Sequence, residues 1–370
     1  MKVKSQNEIF KALEGKANID GGRVYSEVKS ITVDTPYGKP ITGIADGKTF
    51  TLNSHGFSDG DLVELYYVNS LVFLQNITYY IRNVTTNTFE LSATSNGAIL
   101  VDNSLNISGV YICALPSSSE TTVTMKAHSF ALNDVIEITA GRGTKPPSIT
   151  LLSATSMNSN GGARFEPLIS KYIAYVYAPT ADTFQLVAYY GATTPKTLGT
   201  ATANGWRIRA GGVKSFNILG LDFIADGGYH QLQINGATAK GTNTQNQVYF
   251  SCNGLSEKKY FSTGTQTGIG LNSTAYYISA NSFSTRYFTI YEAIVEIKKI
   301  NGNYISVMQN VVEVQGTDFN NMYSGASSIV GGGLINGYSN ITSINLVSPS
   351  TFLNGTQISI RRVINFANDL

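Results

Sequence analysis

One stretch of this chain occurs twice, and that duplication constrains the fold more than any other feature. Residues 48–66 (KTFTLNSHGFSDGDLVELY) align without a gap onto residues 121–139 (TTVTMKAHSFALNDVIEIT). Six positions are identical: Thr49/Thr122, Thr51/Thr124, His55/His128, Phe57/Phe130, Asp61/Asp134 and Glu64/Glu137. Others exchange one apolar residue for another, as in Leu52/Met125, Leu62/Val135 and Leu65/Ile138. A second block follows each copy, Tyr80 to Phe89-Glu-Leu-Ser-Ala93 and Tyr175 to Phe184-Gln-Leu-Val-Ala188, with nine residues from Tyr to Phe in both. Alternating apolar positions on either side of a polar turn read as short strands, so the repeated unit is a small β-module. Between its blocks the second copy is longer, 41 residues from Asp134 to Tyr175 against 19 from Asp61 to Tyr80. The extra length, around Arg142 to Glu166 with Lys145-Pro-Pro147 and Asn158 to Gly162, belongs in an exposed loop, where insertions are tolerated. A looser third copy is expected at Tyr276-Tyr277-Ile278 and Phe288 to Glu292, with Gln231 to Ile234 beginning its first block.

The motif itself resembles a known repeat. His55-Gly-Phe-Ser-Asp-Gly-Asp61 with Val63, then Thr78-Tyr-Tyr80-Ile and Asn87-Thr-Phe-Glu-Leu-Ser-Ala93, is similar to a short β-repeat of large bacteriophage tail and other virion proteins. There it reads His-Gly-Phe-x-x-Gly-Asp, a Tyr-Tyr-Val strand and a Thr-Phe-x-Leu-x-Ala strand. The match is good over residues 42–95 and loose over 110–190, where Ser129 and Asn133 replace the two glycines. What the resemblance implies is a virion setting, without a position in the particle.

The expected fold class is all-β, several small repeated modules of sandwich or barrel type with a short N-terminal helix. The helix rests on the capping-box spacing of Ser5 and Glu8, the apolar Ile9, Phe10 and Leu13, and a stop at Gly15. Residues 16–40 form a connector around one strand, Val24 to Val33. The organisation is then 1–40 helix and connector arm, 41–98 first module, 99–200 second module with its insertion, 201–300 third module, and 301–370 a C-terminal hairpin region. Hairpin turns are expected at Asp46-Gly47 and at Asn301-Gly302, which joins Glu292–Ile300 to Asn303–Val314, because two successive positive φ angles suit these dipeptides. Asn235-Gly236 and Asn354-Gly355 are read the same way.

Only 14% of the 370 residues are charged, against about a quarter in an average soluble protein, while Gly (36) and Tyr (22) abound. Low charge density lowers the cost of burying surface against neighbours. The expected partners are therefore further copies of this chain and other virion proteins, with a host surface glycan considered as a third. The net charge of +2 is interspersed, without the basic patch that nucleic acid requires. No stretch reaches the ~20 apolar residues of a membrane span. The N-terminus lacks an apolar signal core, so synthesis in the host cytoplasm and residence in the virion are expected, with the Asn76–Thr78 and Asn272–Thr274 sequons chance matches. Cys113 and Cys252 stand far apart, without metal-ligand spacing, and are read as buried apolar thiols.

No residue pattern calls for an enzyme or a cofactor, and no metal site is expected. His55 and His128 occupy equivalent repeat positions, which suits a turn partner better than a unique catalyst; His230 is the third histidine. Asp59-Gly60-Asp61 offers oxygens of the kind that bind Ca²⁺, but the second copy has only Asp134, so a plain turn is expected. Ser324–Ser328 is not a nucleophile elbow, Gly331–Gly333 misses dinucleotide spacing, and Gly143-Thr-Lys145 lacks the rest of a phosphate loop. Those glycines are read as turns. Trp206 with Arg207 and Arg209, near Tyr189 and Tyr190, reads either as a sugar platform or, better, as an anchor of a β-core or subunit contact. The residues expected to define the module are His55, Phe57, Asp61, Tyr80 and Phe89, with His128, Phe130, Asp134, Tyr175 and Phe184. The functional expectation is a non-enzymatic virion building block of tail, baseplate or fibre attachment. The rivals are a capsid decoration protein, a glycan-binding adhesin and a tailspike depolymerase.

Overall fold

A computed structural model describes residues 17–20, 23–140, 172–187, 190–198, 206–225, 229–239, 246–253, 259–262, 276–281, 288–300, 303–316, 322–323, 331–335 and 340–365. Every regular element among them is a β-strand, and the strands form three antiparallel sheets. The expected N-terminal helix, the insertion at 142–166, the Asn301-Gly302 turn, Gly143–Lys145 and Ser324–Ser328 lie outside the described residues. The chain divides into two compact units, Met1–Val33 with Val213–Leu370, and Asp34–Gly212. Along the sequence, the second unit is an insertion in the first.

The discontinuous unit opens with β1 (Ala17–Asp20) and β2 (Arg23–Thr32). The inserted unit follows. Its first sheet contains β3 (Lys39–Pro40), β4 (Gly43–Ala45), β5 (Thr49–Thr51), β6 (Leu62–Tyr66), β7 (Thr78–Arg82), β8 (Thr88–Ser92) and β9 (Tyr111–Ala114). The second contains β10 (Ser117–Ser119), β11 (Thr122–Thr124), β12 (Val135–Ala140), β13 (Tyr172–Tyr177), β14 (Thr183–Val187) and β15 (Trp206–Ala210). Strand order is β3-β9-β6-β7-β8-β5-β4 in one and β15-β12-β13-β14-β11-β10 in the other. The repeat thus carries its pairing with it: β9-β6-β7-β8-β5-β4 matches β15-β12-β13-β14-β11-β10 strand for strand. Registers match as well, Leu62 opposite Tyr80 and Val135 opposite Tyr175, Phe50 opposite Phe89 and Val123 opposite Phe184. The inward faces merge in one core that includes Phe50, Phe89, Ile81, Phe184, Val176 and Trp206. Each such side chain contributes about 1.5–3 kcal/mol through burial.

The chain returns to the discontinuous unit through β16 (Gly212–Leu219), β17 (Tyr229–Ala239), β18 (Asn246–Cys252), β19 (Lys259–Ser262), β20 (Tyr276–Asn281), β21 (Phe288–Ile300), β22 (Asn303–Gly316), β23 (Met322–Tyr323), β24 (Gly331–Ile335), β25 (Ser343–Leu353) and β26 (Gln357–Asn365). The main order is β1-β2-β26-β17-β21-β22-β24-β19, with β25 pairing β16, β17 and β18 beside it. Its core holds Leu232, Ile234, Val295, Ile297, Leu346, Phe352, Ile358 and Ile360. Over residues 201–300, β20 pairs with β18 whereas β21 pairs with β17 and β22. The two segments read as the third copy's second block are therefore not partners of each other, as β7 and β8 are.

Two glycine readings need correction. Asn235-Gly236 is not a turn but the middle of β17. There the strand changes partner, pairing β26 up to Asn235 and β25 from Thr238. A Cβ on Gly236 would crowd the Thr356 side chain, whose hydroxyl bonds Ala237 N and O at 3.3 Å, so this glycine permits a close crossing. Gly331–Gly333 is likewise strand rather than turn, paired with both β19 and β22.

Candidate functional site

In each module the histidine closes a turn. His55 Nδ1 accepts the Phe57 amide at 3.0 Å, and His128 Nδ1 accepts that of Phe130 at 2.9 Å. Asp61 and Asp134 accept the amides of Ser58 and Ala131 at 2.7 and 2.8 Å. In both copies the imidazole stacks on the phenylalanine two residues on and meets the β8 or β14 phenylalanine edge-on: His55 with Phe57 and Phe89, His128 with Phe130 and Phe184. All of the expected module-defining residues except Tyr80 and Tyr175 take part in this turn and its ring cluster. Those two tyrosines hold matching strand positions, Tyr80 partly exposed and Tyr175 buried. Asp59 bonds Asn83 N and the Arg82 guanidinium instead of gathering with other carboxylates. Among the described residues no group of three or more His, Cys, Asp or Glu has the arrangement to hold a metal ion.

The most elaborate polar arrangement was not read from sequence. Strand alternation sends Val63 and Leu65 to the apolar core and Glu64 to the opposite face; Glu137 sits likewise between Ile136 and Ile138. On β15, Trp206 and Ile208 enter the core while Arg207 and Arg209 face the other way. Arg207 grips Glu64 of the other module through Nε and Nη2, a bidentate pair with both side chains buried. Arg209 pairs with Glu137 at 2.8 Å, directly across the strands, and reaches Asp34 and the Thr35 carbonyl. Tyr66 donates to Glu64 at 2.8 Å, and its ring stacks on Tyr37, 4.7 Å between centroids. The Arg209 guanidinium also lies over the Tyr37 ring, 4.7 Å from its centroid. Two buried carboxylates and two buried guanidinium groups, interleaved with two tyrosines, thus form a seam between the modules.

The electrostatics follow from that enclosure. Burial opposes the charge of both arginines, yet the bonds and charges of Glu64 and Tyr66 around Arg207, and of Glu137, Tyr37 and Asp34 around Arg209, hold their pKa values above the ordinary one. Burial, then the charges of Cys113 and Glu64, push the Tyr66 phenol well up. Burial and Glu64 push the Cys113 thiol up to about 12. A thiol so placed is not a nucleophile. Cys252 is also buried and free. The carboxylates of the seam are engaged as acceptors, so the seam suits rigid joining rather than proton transfer.

Trp206 is fully buried, so it anchors the core and cannot serve as an exposed sugar platform. Tyr190 packs edge-on against Tyr175, while Tyr189 lies outside the described residues. His230 is buried and stacked on Phe223 at 3.6 Å. No helix among the described residues is long and apolar enough to cross a membrane.

Fold and seam together define an all-β protein whose duplicated modules are locked to each other by a buried ionic layer. No family model matches the chain, and no curated protein matches it. Among solved structures, one of infectious bursal disease virus, Gx strain, aligns over 89% of this chain and 83% of that one, at 11% identity and a TM-score of 0.08. So low a score carries no argument about fold or function.

Proposed function

We propose that this chain is a non-enzymatic structural component of a bacteriophage virion, in the tail, baseplate or fibre-attachment region, acting through contacts with its own copies and with neighbouring virion proteins. The observation that carries the reading is the duplicated module, of sandwich or barrel type, whose copies are fixed to each other by the Glu64–Arg207 seam. A mechanical role calls for such rigidity, and the repeat resembles one of phage tail proteins. The polar groups of the two module turns and the seam are engaged in holding the fold. The chain's few charges leave its surface inexpensive to bury against neighbours.

Labelling purified virions with an antibody against this chain, and imaging them, tests the reading. Label at the tail or its attachment region is expected. Virions that contain none of the chain would refute it. Sedimentation of the full chain against one lacking residues 1–15 tests the expected N-terminal arm: removal should weaken self-association, and identical behaviour would exclude the arm.

A further inference from the structure

The two modules diverge at the end of β6. Continued past Tyr66, the alignment sets Tyr67 against Ala140, and the strand registers set Tyr111, opposite Tyr66, against Arg207, opposite Thr139. In the second module the strand runs on through Ala140. In the first it stops at Tyr66, and Tyr67 takes φ +58°, in the left-handed region that is unfavourable for a bulky L residue. Tyr67 is also 48% exposed. A strained and half-exposed ring contributes little to packing, and the second module builds the same strands without it. Backbone strain of this kind is concentrated at ligand-binding positions.

Around Tyr67 stand the outer members of the ionic seam. The Tyr111 ring meets it at 77°, with centroids 5.7 Å apart. Asp34, whose side chain is 57% exposed, is held through Oδ1 by Arg209, and its Oδ2 has no partner among the described residues. Burial and then Asp34 raise the pKa of the Tyr67 phenol, Arg209 lowers it and Tyr111 raises it, which places the carboxylate within electrostatic reach of the ring. Arg209 divides its single charge between Asp34 and Glu137, so it does not fully neutralise either. The outcome is a surface corner of two nearly perpendicular rings beside a fixed carboxylate that keeps part of its charge. All of these residues belong to the inserted unit.

That chemistry selects a cation. The faces of tyrosine rings carry negative potential and attract ammonium and guanidinium groups, and a neighbouring carboxylate adds to the attraction. A neutral sugar is served less well. It stacks on one open face and gives two adjacent hydroxyls to a free carboxylate, whereas here the rings stand edge to face and one carboxylate oxygen is taken. An anion would meet Asp34. We propose that the Asp34–Tyr67–Tyr111 corner binds an arginine or lysine side chain of a neighbouring virion protein. The assignment rests on the proposed function and names the chemistry of the partner. Cation–π attraction and an exposed ion pair are each modest, so one basic side chain binds here with a Kd on the order of millimolar and serves as one anchor of a larger interface.

The test titrates the full-length chain with an acetylated, amidated Gly-Arg-Gly peptide, its lysine counterpart and the uncharged citrulline peptide, while amide resonances are followed by NMR. The two basic peptides should shift Tyr67 and Tyr111, less so as salt is raised. The citrulline peptide, Asp34→Asn and Tyr67→Asn should each weaken binding by roughly fivefold. Tyr67→Asn should melt no lower than the unsubstituted chain, because asparagine accepts a positive φ. A fall of several degrees would make the ring part of the scaffold and overturn the proposal. That variant keeps Asp34 and its bond to Arg209, so it carries the test if Asp34→Asn does not fold. Peptide shifts that spare both tyrosines, that persist unchanged in Tyr67→Asn, or that arise equally with citrulline would overturn it too. N-acetylglucosamine oligomers that shift the same resonances more strongly than the basic peptides would assign the corner to a glycan, with the same consequence. Peptide binding is read on the purified chain and labelling on the virion. Labelled virions without peptide binding therefore remove this site and leave the proposed function standing, and peptide binding with unlabelled virions removes the virion partner.

Discussion

Each repeated histidine works through an unprotonated ring nitrogen. Nδ1 of His128 accepts the Phe130 amide, so protonation there would set one N–H against another. Burial lowers the His128 pKa; the carbonyls of Thr183 and Thr180 and the charge of Asp182 pull it up, and Lys39 pulls it down. A histidine with a depressed folded pKa leaves the unfolded chain binding more protons. Its contribution to stability is therefore whole above the unfolded value of about 6.5 and is lost as pH falls from there toward the folded value. The denaturation midpoint of the inserted unit should drop between pH 7 and pH 5, and drop less in His128→Gln. An equal drop in the variant would exclude His128 as the source. The two turn glycines replaced in the second copy make another comparison. Gly60 has φ +89° and its counterpart Asn133 +67°, and a Cβ on Gly60 meets nothing. Gly60→Ala should therefore cost only the backbone preference, about 1 kcal/mol in chemical denaturation. Gly38→Ala should cost more, because that Cβ would drive into the Ile112 carbonyl. The ungapped alignment made these turn residues legible, since each bonds within a few positions of itself. Arg207 and Arg209 were visible only as part of an aromatic cluster, because Glu64 lies 143 residues from its partner and no local pattern records such a pair.

At the scale of elements, strand alternation is what gathers the seam. Glu64, Glu137, Arg207 and Arg209 reach one layer because each sits one position from residues that enter the core. Removing one member of a buried pair leaves the other charged and unmatched, at a cost of about 3–5 kcal/mol, whereas replacing both with apolar residues of similar size can be near neutral. Glu64→Leu and Arg207→Met should each lower stability by that order. Glu64→Leu with Arg207→Met should recover most of the loss. A double-mutant cycle in urea measures this, and additive losses would mean that the pair does not bind the modules together. Hairpins show where sequence suffices. Asp46 and Gly47 both take positive φ between β4 and β5, and Asn354-Gly355 joins β25 to β26. Asn235-Gly236 fails as a turn because glycine also serves close approach, and only the distant Thr356 shows which use applies.

For the whole molecule, the sequence boundaries at residues 40 and 200 differ from the unit boundaries at Val33/Asp34 and Gly212/Val213. The cause is pairing across the insertion: β2 pairs with β26, more than three hundred residues later, and continues to Val33, which bonds Gly355 and Thr356. Separation of that kind leaves no local trace in composition or periodicity. Just past this point the inserted unit closes on itself, with the Thr35 hydroxyl bonded to the Ala210 carbonyl and Arg209 to Asp34 and the Thr35 carbonyl. Its first and last segments are thus fastened within the unit, and the described residues of its apolar core all fall within 37–208. A unit with its own core and joined ends meets the conditions for folding alone. Residues 34–212 expressed by themselves should give a cooperative unfolding transition with native near-ultraviolet dichroism. A fragment starting at residue 37 should be less stable by about 1–3 kcal/mol, having lost the Asp34 and Thr35 partners of Arg209. Equal stability of the two fragments would show that the clasp contributes nothing, and a 34–212 fragment without a cooperative transition would show that the inserted unit depends on the rest of the chain.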